Sequence, residues 1–210
     1  MKKFTRIFAL ALVLVLSVSL LCGCNDNESI QGTWIAVTVD DKEATRDFLE
    51  SLEFFDEEIA LMDLNTMKTV QKLEFREDGT YEMGIDADGC REAMEEFFDG
   101  MMEALYNGRA SLTEVYGEEI ATLSKEEFNQ FYAELFGCET IEEFKSVFAS
   151  EVVDFDGIEE DNETGKYNAA MGTIYFTKDG ASEAETAPYE IKGGKLKVDF
   201  ADVDVEYTKE

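Results

Sequence analysis

Apolar and polar positions change their spacing twice along this chain, and each change marks a change of element. Residues 30–39, dense in β-branched residues and carrying the single tryptophan, Trp34, read as a first strand. Over residues 41–52 the apolar positions Ala44, Phe48, Leu49 and Leu52 recur at helical spacing, a phase that extends to Phe55 and Ile59. Alternation of period two returns over residues 69–75 and 80–85, joined by Arg76-Glu77-Asp78-Gly79. The Asp-Gly step supplies the positive φ that a tight turn needs, so this pair is a predicted hairpin.

From about residue 90 to 150 the period is helical. Met94, Phe97, Phe98, Met101, Met102, Leu105 and Tyr106 form one apolar face, ended by Asn107-Gly108. Ser124-Lys125-Glu126-Glu127 is a capping box ahead of Phe128, Phe131, Tyr132, Leu135 and Phe136, all expected to face inward, and Gly137 stops that helix. Thr140-Ile141-Glu142-Glu143 is a second box, ahead of Phe144, Val147 and Phe148. Ser111-Leu112-Thr113-Glu114 is a weaker start leading to Ile120 and Leu123. The pattern predicts three to four short helices.

Strands then resume at residues 165–167, 172–177, 189–191 and 196–207, with hairpin signals at Asp179-Gly180 and Gly193-Gly194. The apolar phase shifts between Leu196-Val198-Phe200 and Val203-Val205-Tyr207, which requires a bulge or tight turn near Ala201-Asp202. Strands, a helical block and more strands, without β-α alternation, indicate the α+β class. The expected architecture is an antiparallel meander or partial barrel that receives a helical insertion over about residues 90–150.

The first 23 residues read as an export signal: Lys2, Lys3 and Arg6 precede an apolar stretch, residues 8–21, too short for a comfortable membrane span. Its end, Leu21-Cys22-Gly23-Cys24, resembles the lipobox of bacterial lipoproteins. Gly23 stands at the small position, Leu21 at the apolar one and Cys24 at the acylated cysteine that becomes the mature N-terminus. The resemblance implies removal of residues 1–23, a lipid anchor at Cys24, a tether over residues 24–29 and one domain over residues 30–210. The implied location is the cell membrane, on its extracytoplasmic face. Two acyl chains on one residue make a stable anchor, where one binds reversibly. A plain signal peptide or an uncleaved anchor is the alternative; neither explains a cysteine followed at once by Asn25-Asp26-Asn27-Glu28-Ser29.

Composition narrows the chemistry. The chain has 48 acidic and 18 basic residues, and loss of Lys2, Lys3 and Arg6 with the signal takes its net charge from −30 to −33. A field of that sign repels phosphates, so nucleic acid is not an expected partner, while divalent cations and basic ligands are concentrated by it. The same field serves solubility. There is no histidine, which removes Ser-His-Asp and Cys-His nucleophile systems, most catalytic zinc sites and the usual imidazole base. No G-x-S-x-G, Walker A, G-x-G-x-x-G or S-x-x-K sequence is present. An enzyme is not expected.

Gly32-Thr33-Trp34 in a first strand, Leu73-x-Phe75-x-x-Asp78-Gly79-Thr80-Tyr81, and Tyr189-x-Ile191-x-Gly193-Gly194-x-Leu196 together resemble the lipocalin-like lipoprotein domains of Gram-positive bacteria. The resemblance covers about half the mature chain. It implies a barrel-like sheet and binding of a small apolar molecule, with Trp34, Phe75 and Tyr81 from the strands and Met94, Phe98 and Met101 from the helices as the lining. Methionine repacks around varied ligands, so these helices offer a lid or groove; the same stripe at helical spacing is also what ordinary core looks like.

Two smaller constellations carry chemistry. From Gly84 the chain matches a calcium loop at Asp86, Asp88, Glu92 and Glu95 and at the glycine of position six, Gly89, but the first ligand position is Gly84 itself. The preferred reading is an Asp-Gly turn in which Asp88 caps the next helix, with Glu92 and Glu95 in its first two turns, and no cofactor. Cys90 and Cys138 either form a disulfide, which an exported domain permits, or are small buried hydrophobes. Two functions therefore lead: a lipocalin-like binder of a small apolar ligand, and a non-catalytic interaction or structural envelope lipoprotein whose acidic surface meets a basic partner. A hydrolase using paired carboxylates ranks behind both.

Overall fold

The structure, a computed structural model, describes residues 26–152, 162–200 and 203–210. The expected export signal, Cys24 and the expected phase change at Ala201-Asp202 lie outside the described residues.

Eight strands, β1 (Gly32–Val39), β2 (Lys68–Phe75), β3 (Thr80–Ile85), β4 (Glu163–Ala170), β5 (Thr173–Lys178), β6 (Glu185–Lys192), β7 (Lys195–Phe200) and β8 (Val203–Lys209), close into a barrel in sequence order. The class is α+β, and the sheet is a closed antiparallel barrel, not an open meander. Closure is made by β8 returning to β1, with Trp34 opposite Lys209 and Ile35 opposite Thr208. The hairpin turns follow the backbone chemistry of the sequence. Gly193 and Gly194 both have positive φ between paired Lys192 and Lys195, the turn type whose twist matches flanking strands. The β4–β5 turn does the same with Met171 and Gly172, a non-glycine in the left-handed region that no local signal announces.

The described residues divide into two compact units: those from 26 to 36 with Lys72–Met83 and those within Glu163–Glu210, and Val37–Gln71 with those within Gly84–Asn162. The first is the barrel proper. Its buried residues include Trp34, Leu73, Phe75, Tyr81, Tyr167, Ile174, Phe176, Leu196, Val198 and Tyr207, interleaved with Ala36, Ala169 and Ala187. A helical turn, α1 (Asn27–Ile30), precedes β1 and buries Ile30 completely. Asp26 N–H donates to the Ala169 carbonyl at 3.0 Å, and Asn27 Oδ1 accepts from Ala169 N–H at 2.6 Å. Asp26 and Asn27, expected within the lipid-anchored tether, are thus hydrogen-bonded to β4.

The second unit is mostly helical. Its helices are α2 (Lys42–Ser51), α3 (Asp56–Ile59), α4 (Ala87–Gly108), α5 (Thr113–Tyr116), α6 (Lys125–Leu135) and α7 (Ile141–Val152), with 3-10 turns at Arg109–Leu112 and Glu118–Thr122. Asp41 caps α2 by accepting from Glu43 N–H. That helix does not run on to Ile59: Glu53 has φ +67°, and Phe55 is extended before α3 begins. The Ser124/Glu127 capping box forms as read. In the second box Thr140 Oγ1 accepts from Glu143 N–H, but the Glu143 carboxylate reaches Glu139 N–H instead of that of Thr140. The helices are not all short, since α4 has 22 residues. Leu135 and Val147, expected inward, are exposed.

Candidate functional site

An eight-stranded barrel has an interior just wide enough to be filled by its own side chains or to hold one small ligand. Here its own side chains meet across it. Phe75 lies 4.7 Å from Tyr167 and 6.1 Å from Phe176 between ring centroids, and Tyr81 lies 4.9 Å from Phe176, edge to face. Opposite Tyr81 on β4 stands Gly165. A Cβ on that glycine would come 2.3 Å from the Thr177 carbonyl oxygen and 2.9 Å from Tyr81 Cε1. The ring therefore occupies the space a side chain would take. The Tyr81 hydroxyl donates to Glu163, which Lys178 also reaches at 3.2 Å; burial, and then that carboxylate, push the phenol well above its usual range.

Of the predicted lining, Trp34, Phe75 and Tyr81 are thus structural members of the barrel core, and Met94, Phe98 and Met101 are buried in the core of the helical unit. Trp34 is buried as the first strand required, and its Nε1–H donates to the Ile30 carbonyl at 2.6 Å. Its direct cross-strand partner is Lys209, whose Nζ stands 5.3 Å from the ring centroid, and it shares its buried cluster with Tyr207.

The calcium pattern is not assembled either. Asp86 is the N-cap residue of α4, and Asp88, Glu92 and Glu95 all lie on that helix, where Asp88 pairs with Arg91 and Glu95 with Lys145. Seven helical residues separate Asp88 from Glu95 by about 10 Å along the axis, too far to wrap one ion. Among the described residues no group of three or more acidic, Cys or His side chains is placed to hold a metal ion. Gly89 has its own explanation: a Cβ there would meet Asp86 Oδ2 at 2.7 Å and Val70 Cγ1 at 2.8 Å. Cys90 and Cys138 are both free and buried. Cys90 Sγ accepts from Val70 N–H at 3.2 Å, and burial raises both thiols above their ordinary range.

A small cleft of about 210 Å³ lies over β6, β7 and β8, lined by Pro188, Tyr189 and Lys197 among others, and wider clefts lie on the helical unit. One cleft, of about 420 Å³, has a floor of Phe98, Met102 and Ile141. On its rim Lys125 pairs with Glu103 and Lys145 with Asp99, Glu142 also lines it, and the buried Asn129 Oδ1 accepts no hydrogen bond.

A second cleft, of about 470 Å³, is lined by Glu53, Phe54, Phe55, Tyr116, Leu135 and Phe136. The break between α2 and α3 builds it. Glu53 turns the chain in the left-handed region, so Phe54 is buried and Phe55 is 50 % exposed, with Leu135 at 48 % across from them. The rings are ordered: Phe54 and Phe136 lie 5.1 Å apart, and Phe55 meets Tyr116 edge to face at 6.1 Å. Behind Tyr116 is Glu58, a carboxylate only 1 % exposed. Its Oε1 accepts from the hydroxyls of Tyr116, at 2.8 Å, and Tyr132, and its Oε2 accepts from Phe55 N–H at 2.8 Å. Three donors make burial of the carboxylate tolerable. Burial first, and then Glu58, push both phenols up, which keeps the protons on the tyrosines.

Periodicity passes over this cleft because it treats Phe55 as one more position of a helix. Nothing in Glu53-Phe54-Phe55-Asp56-Glu57 sets it apart from Glu96-Phe97-Phe98-Asp99, whose two rings are both buried. Comparison with known proteins finds no matching family model, no matching curated protein and no matching solved structure.

Proposed function

We propose that this protein is a membrane-anchored extracytoplasmic lipoprotein that acts without catalysis, as an interaction module for a basic partner, with the barrel as scaffold and the helical unit as binding face. The observation that carries this reading is the occupied barrel interior, where the Tyr81 ring takes the space beside Gly165. A small apolar ligand has no seat among rings in mutual contact. The lack of histidine and the charge of −30 support the non-catalytic and basic-partner parts, and the Leu21-Cys22-Gly23-Cys24 motif supports the anchor.

Two measurements test it. Cys24→Ala is expected to move the protein from the membrane fraction to the soluble phase or to leave an unprocessed precursor; unchanged detergent partitioning removes the anchor. Titration with palmitate and with retinol, followed by Trp34 fluorescence, is expected to give no saturable change. Stoichiometric binding of either, weakened by Ala169→Leu inside the barrel, puts the lipocalin-like binder of a small apolar ligand in first place.

A further inference from the structure

We propose that the cleft lined by Phe54, Phe55, Tyr116, Leu135 and Phe136 receives an arginine side chain of a basic partner polypeptide. The inference rests on the interaction reading above and gives it a location and a chemistry.

Aromatic faces attract cations through the ring quadrupole, most strongly where water is partly excluded and most often with arginine. Four aromatic side chains line this one cleft. One of them is electronically biased: the Tyr116 hydroxyl donates to the buried Glu58 carboxylate, and a phenol polarised by an anion carries more negative charge on its ring. Glu58 itself is sealed behind the wall and already holds three donors. It is therefore no competitor for the ligand.

The rim supplies the second half of the match. Glu53 lines the cleft, and among the described residues no salt bridge reaches it. Nearby Asp56 and Glu50, by contrast, share Arg46 at 3.1 and 3.6 Å. Glu53 also occupies a φ of +67° at the end of α2, a position where glycine costs least. A carboxylate stands there beside an aromatic cleft. Apolar walls that cover the methylene stem, ring faces for a guanidinium and one uncompensated carboxylate suit arginine better than a neutral apolar side chain. The overall charge of −30 steers such a partner in.

The test uses the mature protein with a ten-residue peptide of alternating arginine and glycine, and the same peptide with citrulline for arginine, at low salt. Citrulline keeps the shape and loses the charge. Binding is followed by titration calorimetry and by the methyl resonances of Leu135. The arginine peptide is expected to bind saturably and shift Leu135, and the citrulline peptide at least tenfold more weakly. Phe55→Leu, which keeps an apolar wall without the ring, and Glu53→Gln are each expected to weaken binding about threefold to tenfold. Glu142→Gln, which removes the same charge at the other cleft, is expected to leave it unchanged. Arginine-peptide binding that all three variants leave equal, with Leu135 unshifted, overturns this site while leaving the interaction reading standing. Equal binding of the citrulline peptide overturns the cation chemistry. No binding of either peptide overturns both this site and the basic-partner reading.

Discussion

Tyr81 and Gly165 face each other across the β3–β4 ladder so closely that a Cβ on the glycine would stand 2.9 Å from the tyrosine ring. The same Cβ would lie 2.3 Å from the backbone oxygen of Thr177, which has no rotamer by which to retreat. Gly165→Ala is therefore expected to destabilise the barrel by about 1–3 kcal/mol or more, as overpacking does. The urea midpoint checks this, and an unchanged midpoint means the interior has slack that a ligand could use.

Trp34→Ala removes a buried indole, its hydrogen bond to Ile30 and the aromatic partner of Lys209. A loss of about 3–5 kcal/mol is expected, against a domain stability of roughly 5–15 kcal/mol. In the parent protein, acrylamide should quench Trp34 fluorescence poorly.

Glu58→Gln keeps the shape of the buried acceptor and swaps one oxygen for an amide N–H₂. Its oxygen can serve the two phenols, but the nitrogen then faces Phe55 N–H, donor against donor. A cost of about 1–3 kcal/mol is expected, seen in equilibrium unfolding together with a shift of the Phe55 amide resonance.

Alkaline pH is expected to unfold the protein through its tyrosines. Free phenols ionise near 10, whereas burial raises those of Tyr81, Tyr116, Tyr132 and Tyr207, the last to about 12. Above pH 10 the unfolded chain sheds protons that the folded chain keeps, so their contribution, complete below pH 10, declines as pH rises toward and through the folded values. The slope is about 1.4 kcal/mol per pH unit for each such tyrosine. Urea midpoints at pH 8, 10 and 11.5 measure it, and Tyr207→Phe should remove one tyrosine's share of the slope.

The elements were legible where local chemistry and tertiary structure agree. The Ser124/Glu127 box, the Asp78-Gly79 and Gly193-Gly194 turns and the α4 stripe all declare themselves within a few residues. Closure was not legible, because the pairing of Trp34 with Lys209 is a non-local event with no signature in either strand. The filled interior escaped for a related reason: whether Phe75, Tyr81 and Phe176 line a cavity or occupy it depends on how they meet across the barrel. At the second cleft, one backbone dihedral at Glu53 redirects the next two rings, and a smooth helical period conceals it.

The union of β1 with β8 also sets an order of events for any chain that emerges N-terminus first. Until Lys209 is available, β1 keeps a row of unsatisfied amides and carbonyls, an open template for stray strands. The helical segments are delivered before β4 through β8, and their contacts are mostly close in sequence, so they can form early while the barrel waits. Removing β8 would leave a sheet with two raw edges, prone to pair with its neighbours, in place of a slightly smaller barrel.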